Sequence, residues 1–220
     1  MKSAVILPTF NEGERVLAVA QAAAANVNVG DIIVVNDGST DNTSDLLARE
    51  NYYKVITHPE NRGKGEALDS GMQHAIDSGY ESAIFLDADL QGIEPHHIDD
   101  LLEPLSSGNL MAIGYLGLRK TVIKKTMLQQ WGALSGQRAL KTEVWSLLNQ
   151  RDKHGFNIEA ALNARMRKNH LHHAISRVAL DGLGHIGKHE KLGSWPKALW
   201  GYTKTYSAAW ATYARIELGG

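Results

Sequence analysis

The sequence predicts an α/β fold in which a mostly parallel central sheet is covered by helices on both faces. Two patterns in the first half of the 220-residue chain indicate this fold. Short apolar segments rich in Val and Ile alternate with segments of helical periodicity, and this alternation is typical of parallel strands. Polar, glycine-containing segments follow the apolar ones, at the strand ends where open α/β sheets bind ligands.

The elements of the first half alternate in order. We predict strands at residues 4–7, 31–36, 54–57 and 82–86, and helices at about residues 12–28, 41–51 and 65–78. Asp41, with Thr43 and Ser44, supplies side-chain oxygens that can cap the second helix. Glu94 and Pro95 begin a further helix, because proline fits the first helical turn.

The second half is less periodic. It predicts a strand at residues 110–114 and helices at residues 121–131, 142–148, 157–168 and 196–217. No internal repeat, linker or low-complexity segment divides the chain, so we expect a single domain over residues 1–220.

Composition excludes several classes of protein. The absence of cysteine excludes a disulfide scaffold, a thiolate metal site and a cysteine nucleophile, and fits a cytoplasmic location. The net charge of −1 does not fit a general polyanion binder, so we expect no nucleic-acid partner. The first apolar run is too short for a signal peptide, and no run approaches the ~20 apolar residues of a membrane span.

A stripe of aromatic and apolar residues follows helical spacing in the last predicted helix. It consists of Trp195, Leu199, Tyr202, Tyr206, Trp210 and Tyr213. Packing against the domain is the favoured interpretation. Peripheral membrane contact is the alternative, because Trp and Tyr favour headgroup depth and Lys197 and Lys204 could meet anionic lipid.

Two aspartates, Asp87 and Asp89, follow the fourth predicted strand. Mg²⁺ and Mn²⁺ take oxygen ligands and bridge to substrate phosphates, and paired acids at a strand end supply such oxygens. Solvated loop acids are the alternative, but three other polar loops at the same sheet edge favour a metal site. Gln91 could add a neutral oxygen.

The loop after the second strand reads Asp-Gly-Ser-Thr-Asp and begins at Asp37. Gly38 allows the backbone to approach a ligand closely, and the Asp37 carboxylate can accept hydrogen bonds from a base or ribose. A tight turn with a helix cap at Asp41 is the alternative.

The segment Asn-Arg-Gly-Lys-Gly at residues 61–65 is similar to loops that hold phosphate before a helix N-terminus. It is not a Walker loop, because its spacing differs. A solvated basic turn explains Arg62 equally well, but explains Lys64 less well.

Four polar motifs follow one another along the first half of the chain. They are Pro-Thr-Phe-Asn-Glu at 8–12, Val-Val-Asn-Asp-Gly-Ser-Thr-Asp at 34–41, Asn-Arg-Gly-Lys-Gly-Glu-Ala at 61–67, and Asp-Ala-Asp-Leu-Gln at 87–91. Together they resemble family 2 of the glycosyltransferases, and the most similar branch is the dolichyl- or polyprenyl-phosphate sugar synthases. The resemblance implies a GT-A type fold, a nucleotide-sugar-binding half at residues 1–109, and an acceptor half with a C-terminal helix at residues 110–220.

The resemblance also implies site residues. It places the nucleoside at Pro8, Phe10, Glu12 and Asp37, and adds Lys64 and Ala88 to the donor contacts. Asp87 and Asp89 would bind the metal and the diphosphate, with Gln91 as a further ligand. His185 would be the last metal ligand, although a histidine in a flexible lid is an equal alternative. An imidazole ligand suits Mn²⁺ better than Mg²⁺.

The predicted acceptor side is basic. Arg138 lies in Ser-Gly-Gln-Arg-Ala, which is similar to the family's stretch beside the acceptor, and Arg119 lies where that branch carries a basic residue. Residues 104–142 contain neither Asp nor Glu, which favours an anionic acceptor. For a hydroxyl acceptor, which needs a general base, Glu159 is the candidate. An exposed helix carboxylate is the alternative interpretation of Glu159.

Several functions remain open from the sequence. The first is metal-dependent transfer from a UDP- or GDP-sugar to a polyprenyl phosphate at the membrane surface, with Mg²⁺ or Mn²⁺. The second is transfer to a soluble acceptor, as in glucosyl-phosphoglycerate synthase-like enzymes. A nucleotidyltransferase and a non-catalytic nucleotide-sugar binding module are further alternatives.

Overall fold

The computed structural model describes residues 2–117, 134–154, 157–185 and 195–218, with the backbone alone at residues 116–117, 185 and 195–206. The elements of the first half are β1 (Ser3–Thr9), α1 (Glu14–Ala24), β2 (Val29–Asp37), α2 (Thr43–Leu47), β3 (Lys54–His58), α3 (Lys64–Asp77), β4 (Ser82–Phe85), β5 (Leu90–Gln91) and α4 (Pro95–Ser106). The predicted alternation of strand and helix is confirmed in this half.

The second half departs further from the prediction. Its elements are β6 (Met111–Gly117), β7 (Arg138–Lys141), 3-10 turns at Thr142–Leu147, Gln150–Lys153 and His172–Ala174, α5 (Ile158–Lys168), β8 (Ile175–Asp181), β9 (Gly184–His185) and α6 (Trp195–Leu218). The helix predicted at residues 142–148 is a 3-10 turn, and the sequence pattern missed β7 and β8. The helix predicted at residues 121–131 and Arg119 lie outside the described residues.

One seven-stranded sheet runs through both halves in the order β3-β2-β1-β4-β7-β6-β8. Strand β7 runs antiparallel to both neighbours, whereas the other pairings described in this sheet are parallel. The predicted mostly parallel α/β fold is therefore confirmed.

Apolar side chains cover both faces of the sheet. On β1, Ile6 belongs to the cluster that packs on α3, whereas Val5 and Leu7 belong to the cluster that packs on α1 and α4. Successive residues of a strand point to opposite faces, so a strand that is apolar throughout is buried on both sides. This explains why the strands are short, continuous apolar runs.

The described part of the C-terminal helix α6 packs on α5. Ile216 is buried, Tyr213 packs against the core, and the Lys168 ammonium donates to the carbonyl of Ile216 at 3.1 Å. Trp210 points outward and is 74% exposed. Within the described residues, no helix combines the length and the apolar character that a bilayer span requires.

Strand register brings the polar motifs to one edge of the sheet. Thr9 pairs with Asn36 and Asp37 pairs with His58, so the loops after β1, β2 and β3 leave the sheet side by side. Arg138 pairs with Phe85 across the antiparallel β4–β7 pair. The residues just before β7 therefore lie beside those just after β4.

Candidate active site

The first two loops of the site are joined through Asn11. Its backbone N–H donates to the Ser39 hydroxyl at 3.0 Å, and its side-chain oxygen accepts from the Thr40 N–H at 2.8 Å. Asn11 has a φ of 55°, a left-handed conformation that Asn tolerates better than most residues. These bonds hold the loop after β1 against the loop after β2.

The residues predicted to hold the nucleoside differ in accessibility. Phe10 follows β1 and is 40% exposed, Pro8 is half-buried, and Ala88 is buried. The Glu12 carboxylate pairs with the Arg15 guanidinium at 3.0 Å. Phe10 thus offers an open aromatic face, and the direct role of each of these residues stays a prediction.

Asp37, at the end of β2, is buried and binds the loop that follows β3. The side chain is 4% exposed, and its Oδ1 accepts from the Arg62 N–H at 3.0 Å while its Oδ2 accepts from the Gly63 N–H at 2.7 Å. His58 Nδ1 also lies 2.7 Å from Asp37 Oδ1. The two backbone N–H groups of the predicted phosphate loop therefore bind this carboxylate. The direct nucleoside contact by Asp37 stays a prediction.

Lys64, the first residue of α3, lies between two carboxylates. Its Nζ donates to Asp87 Oδ1 at 2.7 Å and to Glu159 Oε1 at 2.7 Å. Burial by itself lowers the pKa of Lys64, but Asp87 and Glu159 outweigh it and hold that pKa above its ordinary value. The two carboxylates therefore favour the protonated, cationic form of Lys64.

Glu159 lies in the first turn of α5 and is 7% exposed. The alternative interpretation of Glu159 as an exposed helix carboxylate is wrong. Its contact with Lys64 brings α5, from the second half of the chain, to the loop after β4. As a general base, Glu159 stays a prediction.

Gln137 and Gly136 are site residues that the sequence did not single out. Gln137 Nε2 donates to Asp87 Oδ2 at 2.8 Å. A Cβ on Gly136 would lie 2.6 Å from both Asp87 carboxylate oxygens and 2.6 Å from Lys64 Nζ, so only glycine fits there without displacing the pair. Both residues precede β7, and without that antiparallel strand no sequence signal places them beside Asp87.

Arg138 lies beneath the site. It is 0% exposed, and its guanidinium donates to the Ser135 carbonyl at 2.8 Å and to Asn163 Oδ1 at 2.8 Å. Burial lowers the pKa of Arg138 to about 10, although the nearby Glu159 carboxylate acts in the opposite direction. The two hydrogen bonds join the segment before β7 to α5, and the predicted contact of Arg138 with the acceptor stays a prediction.

The predicted metal ligands converge on one short segment. Asp87 and Asp89 are half-buried and Gln91 is exposed. Strand β9 pairs with β5, and the backbone of His185 lies opposite Leu90. Leu90 is the residue between Asp89 and Gln91, so the His185 backbone lies beside both predicted ligands. The side chain of His185 lies outside the described atoms, and its role as a ligand stays a prediction.

The donor set fits a hard divalent cation that is shared with a ligand. In the described parts of the chain, no three His, Asp or Glu side chains form a complete metal site. Carboxylate oxygens are the ligands that Mg²⁺ and Mn²⁺ favour, and Asp87 and Asp89 both carry them. Asp87 and Asp89 can therefore supply part of a coordination shell that substrate phosphate and water complete, as Mg²⁺ and Mn²⁺ sites often require.

The model of glycosyl transferase family 2 matches residues 4–175 of this chain. An uncharacterised protein of Methanocaldococcus jannaschii, MJ0544, is 35% identical over 122 residues, which are 52% of this chain and 51% of that protein. Poly-beta-1,6-N-acetyl-D-glucosamine synthase of Staphylococcus aureus is 34% identical over 88 residues, which are 38% of this chain and 21% of that protein. The matches thus span about half the length of the first relative and a fifth of the second.

Solved structures share the fold over nearly the whole chain. Glucosyl-3-phosphoglycerate synthase from Mycobacterium tuberculosis, in complex with Mn²⁺, uridine-diphosphate-glucose and phosphoglyceric acid, has a TM-score of 0.75 and 22% identity, and the match covers 98% of this chain and 79% of that one. A complex of the same synthase with Mn²⁺ and uridine-diphosphate-glucose has a TM-score of 0.71. These similarities confirm the predicted GT-A type fold.

Proposed function

This chain belongs to glycosyl transferase family 2, and we propose that it transfers a sugar from a nucleoside-diphosphate sugar to a soluble phosphorylated acceptor. The observation that carries the proposal is the convergence of Lys64, Asp87 and Glu159 at the edge of the sheet where the four motif loops end. A UDP-sugar is the first candidate donor and a phosphorylated small molecule the first candidate acceptor, because the synthase of similar fold holds both kinds of ligand.

The donor half of the site would hold the diphosphate. A divalent cation bound by Asp87 and Asp89 would neutralise the charge that develops on the leaving diphosphate. An ammonium has three N–H groups, and the described contacts of Lys64 use two, so we propose that the third faces the diphosphate. Phe10 would pack against the base through its exposed ring.

The acceptor determines whether a base is needed. A hydroxyl acceptor must lose a proton during transfer, and Glu159, which lies beside Lys64, is the carboxylate that we propose to accept it. An acceptor that reacts through a phosphate oxygen, such as a polyprenyl phosphate, is already anionic at neutral pH. Such an acceptor needs only to be positioned and requires no base. A KM for acceptor that rises in Glu159→Gln while kcat is unchanged would place Glu159 in binding instead.

A polyprenyl phosphate is the second candidate acceptor, and it is the first choice from the sequence. The observation in its favour is Trp210, which is 74% exposed on α6 and could reach a lipid surface. The solved structures favour the soluble acceptor, because the synthase of similar fold is found with phosphoglyceric acid. Peripheral membrane contact therefore stays a prediction.

The test is a transfer assay with matched acceptors. UDP-glucose and Mn²⁺ are incubated with 3-phosphoglycerate, glycerol 3-phosphate or undecaprenyl phosphate in detergent, and nucleoside diphosphate release is compared with release to water alone. GDP-mannose replaces UDP-glucose in a parallel series. We expect release to increase with a soluble phosphorylated acceptor. Release with the lipid alone would select the second candidate. Release of the sugar 1-phosphate, which cleavage between the two phosphates of the donor would give, would contradict glycosyl transfer.

A further inference from the structure

Three hydrogen-bonded side chains, of which Asp37 and His58 are buried and Ser70 is half-buried, join the ends of β2 and β3 to helix α3. His58 Nδ1 lies 2.7 Å from Asp37 Oδ1, and His58 Nε2 lies 2.9 Å from the Ser70 hydroxyl. The side chains of His58 and Asp37 are 6% and 4% exposed. Such burial keeps the His58 imidazole away from a substrate, so any effect of His58 on the reaction must pass through its neighbours.

The direction of the bonds follows from the chemistry of the groups. An ionised carboxylate has no proton to donate, so the imidazole Nδ1–H donates to Asp37. Nε2 then interacts with the Ser70 hydroxyl, which can either donate or accept. The position of the Asp37 carboxylate is thus set by His58 from one side and by the backbone N–H groups of Arg62 and Gly63 from the other.

The loop that Asp37 holds leads directly to Lys64. Gly63 is the residue before α3, and Lys64 is its first helical residue. The backbone at Gly38 packs closely against the start of this loop, since a Cβ on Gly38 would lie 2.3 Å from the carbonyl carbon of Glu60. A shift of the Asp37 carboxylate would therefore move Gly63 and, with it, the Lys64 ammonium.

We propose that His58 is a positioning residue, which places Lys64 by orienting the Asp37 carboxylate. The proposal rests on the proposed function for its effect on transfer, but its structural effect can be measured without substrate. Loss of a hydrogen-bond partner that orients a metal ligand typically costs about 10- to 100-fold in affinity or activity, and we expect an effect of that order for His58. His58 thereby connects the end of β3 to the loop after β4 through one continuous set of contacts.

Two conservative substitutions separate the two bonds of His58. The amide nitrogen of Asn lies close to the position of imidazole Nδ1, so His58→Asn keeps a donor to Asp37 and loses the contact with Ser70. The amide of Gln lies close to the position of Nε2, so His58→Gln keeps the contact with Ser70 and loses the donor. Ser70→Ala removes the hydroxyl that contacts His58 Nε2 and leaves the bond between His58 and Asp37 in place.

The experiment compares the three variants in kcat, thermal midpoint and amide hydrogen exchange. We expect His58→Gln to lower kcat by about 10- to 100-fold, and His58→Asn and Ser70→Ala to retain at least about a third of it. We expect similar thermal midpoints for the two His58 variants, because each loses one buried hydrogen bond. Equal losses of kcat in His58→Asn and His58→Gln would overturn the proposal, because a merely structural role predicts that result.

Hydrogen exchange at the Arg62 and Gly63 amides provides the readout that needs no substrate. We expect His58→Gln to accelerate exchange at both amides and His58→Asn to leave it close to the wild-type rate. If the wild-type protein transferred no sugar, the proposed function would fail while exchange still decided the role of His58. Unchanged exchange at both amides in His58→Gln would overturn the positioning role.

Discussion

Two charge clusters in this protein each place one charged group between two groups of opposite charge, and they differ in their exposure to solvent. In the Lys64 cluster (Lys64, Asp87 and Glu159), one cation lies between two carboxylates at 2.7 Å each. In the Asp152 cluster (Asp152, Arg165 and Arg215), one carboxylate lies between two guanidinium groups at 2.7 and 2.8 Å.

The difference between the clusters shows what each contributes. The Lys64 and Asp87 side chains are 17% and 25% exposed at the site edge, whereas Asp152 is 0% exposed beneath α5 and α6. The carboxylates of the Lys64 cluster lie at the edge of the sheet where the motif loops end, so a bound substrate or cation can reach them. Asp152 instead ties α5 and α6 to the turn at Gln150–Lys153. We therefore expect changes in the first cluster to affect activity and changes in the second to affect stability.

The largest effect is expected beside the Lys64 cluster, at Asp89. We expect Asp89→Asn to lower kcat/KM by about 10³-fold, equivalent to about 4 kcal/mol, because it removes a proposed metal ligand. The fold should survive, since Asp89 is half-buried at the site edge. Turnover is measured over a Mn²⁺ titration, with Asp77→Asn on the exposed surface of α3 as the control. Wild-type turnover in Asp89→Asn would remove Asp89 from the metal site.

The Asp152 cluster should show the largest effect on folding. We expect Asp152→Ala to lower the free energy of unfolding by about 3–5 kcal/mol, because it leaves two arginines without their buried partner. Urea unfolding measures this loss. The control is Arg167→Ala, since Arg167 is 65% exposed and 3.5 Å from Glu217, and such surface pairs contribute about 0–1 kcal/mol. A loss below about 1 kcal/mol in Asp152→Ala would contradict the assignment.

The Asp152 contribution should also depend on pH. Burial opposes ionisation of Asp152, but hydrogen bonds from Arg165 and Arg215 outweigh it and lower its pKa. A folded-state pKa below the unfolded value gives stability that is complete above about pH 4 and is lost as the pH falls through the folded-state pKa. The difference in unfolding free energy between wild type and Asp152→Asn should therefore shrink on acidification below about pH 4. If this difference in unfolding free energy grew on acidification, the expected direction of the pKa shift of Asp152 would be contradicted.

Removing the cation of the Lys64 cluster should have an intermediate effect. We expect Lys64→Met to lower kcat by about 10²-fold, as loss of one charge-stabilising donor typically does. Its loss of unfolding free energy should be smaller than that of Asp152→Ala, because the Lys64 cluster is accessible to water. Lys54→Met is the matched control, since Lys54 also pairs with an aspartate, at 2.8 Å, but is 51% exposed. The comparison fails if Lys64→Met destabilises the fold more than Asp152→Ala does.

The smallest effect is expected from a single added methyl group. Gly136→Ala places a Cβ against Asp87 and Lys64, and we expect kcat/KM to fall by about 30-fold, within the 10²-fold that a misplacement of about 1 Å can cost. Gly184→Ala is the control, because a Cβ there has no atom of the described residues within 4 Å. Equal activity of the two variants would show that the Lys64 cluster adapts to the methyl group.

The parts of the fold that the sequence predicted are the parts with local patterns. Strands β1 to β4 and the helices between them have apolar periodicities that do not depend on distant residues. Strand β7 has only four residues, and its pairing with β4 and β6 joins segments far apart in the chain. No local pattern predicts such an antiparallel insertion, so β7 was not predicted from the sequence. The role of Gln137, which lies directly before β7, was not predicted for the same reason.

The candidate site divides in the same way. Asp87, Asp89 and Lys64 were identified because strand-end motifs in parallel sheets converge on one edge. The partners of those groups were not predictable, because hydrogen bonds such as that between His58 and Asp37 depend on strand register and helix placement. The burial of Asp37 and Arg138 was likewise not predictable from the motifs in which they lie.

The sequence by itself determined the α/β class, the family and the order of the four motif loops, because each follows from short-range periodicity and motif spacing. The tertiary structure alone decided which charges meet. It placed Lys64 between Asp87 and Glu159, and it buried Asp152 between Arg165 and Arg215. The physical reason is that hydrogen bonds and ion pairs act over a few ångströms, whereas the partners are separated by tens of residues along the chain.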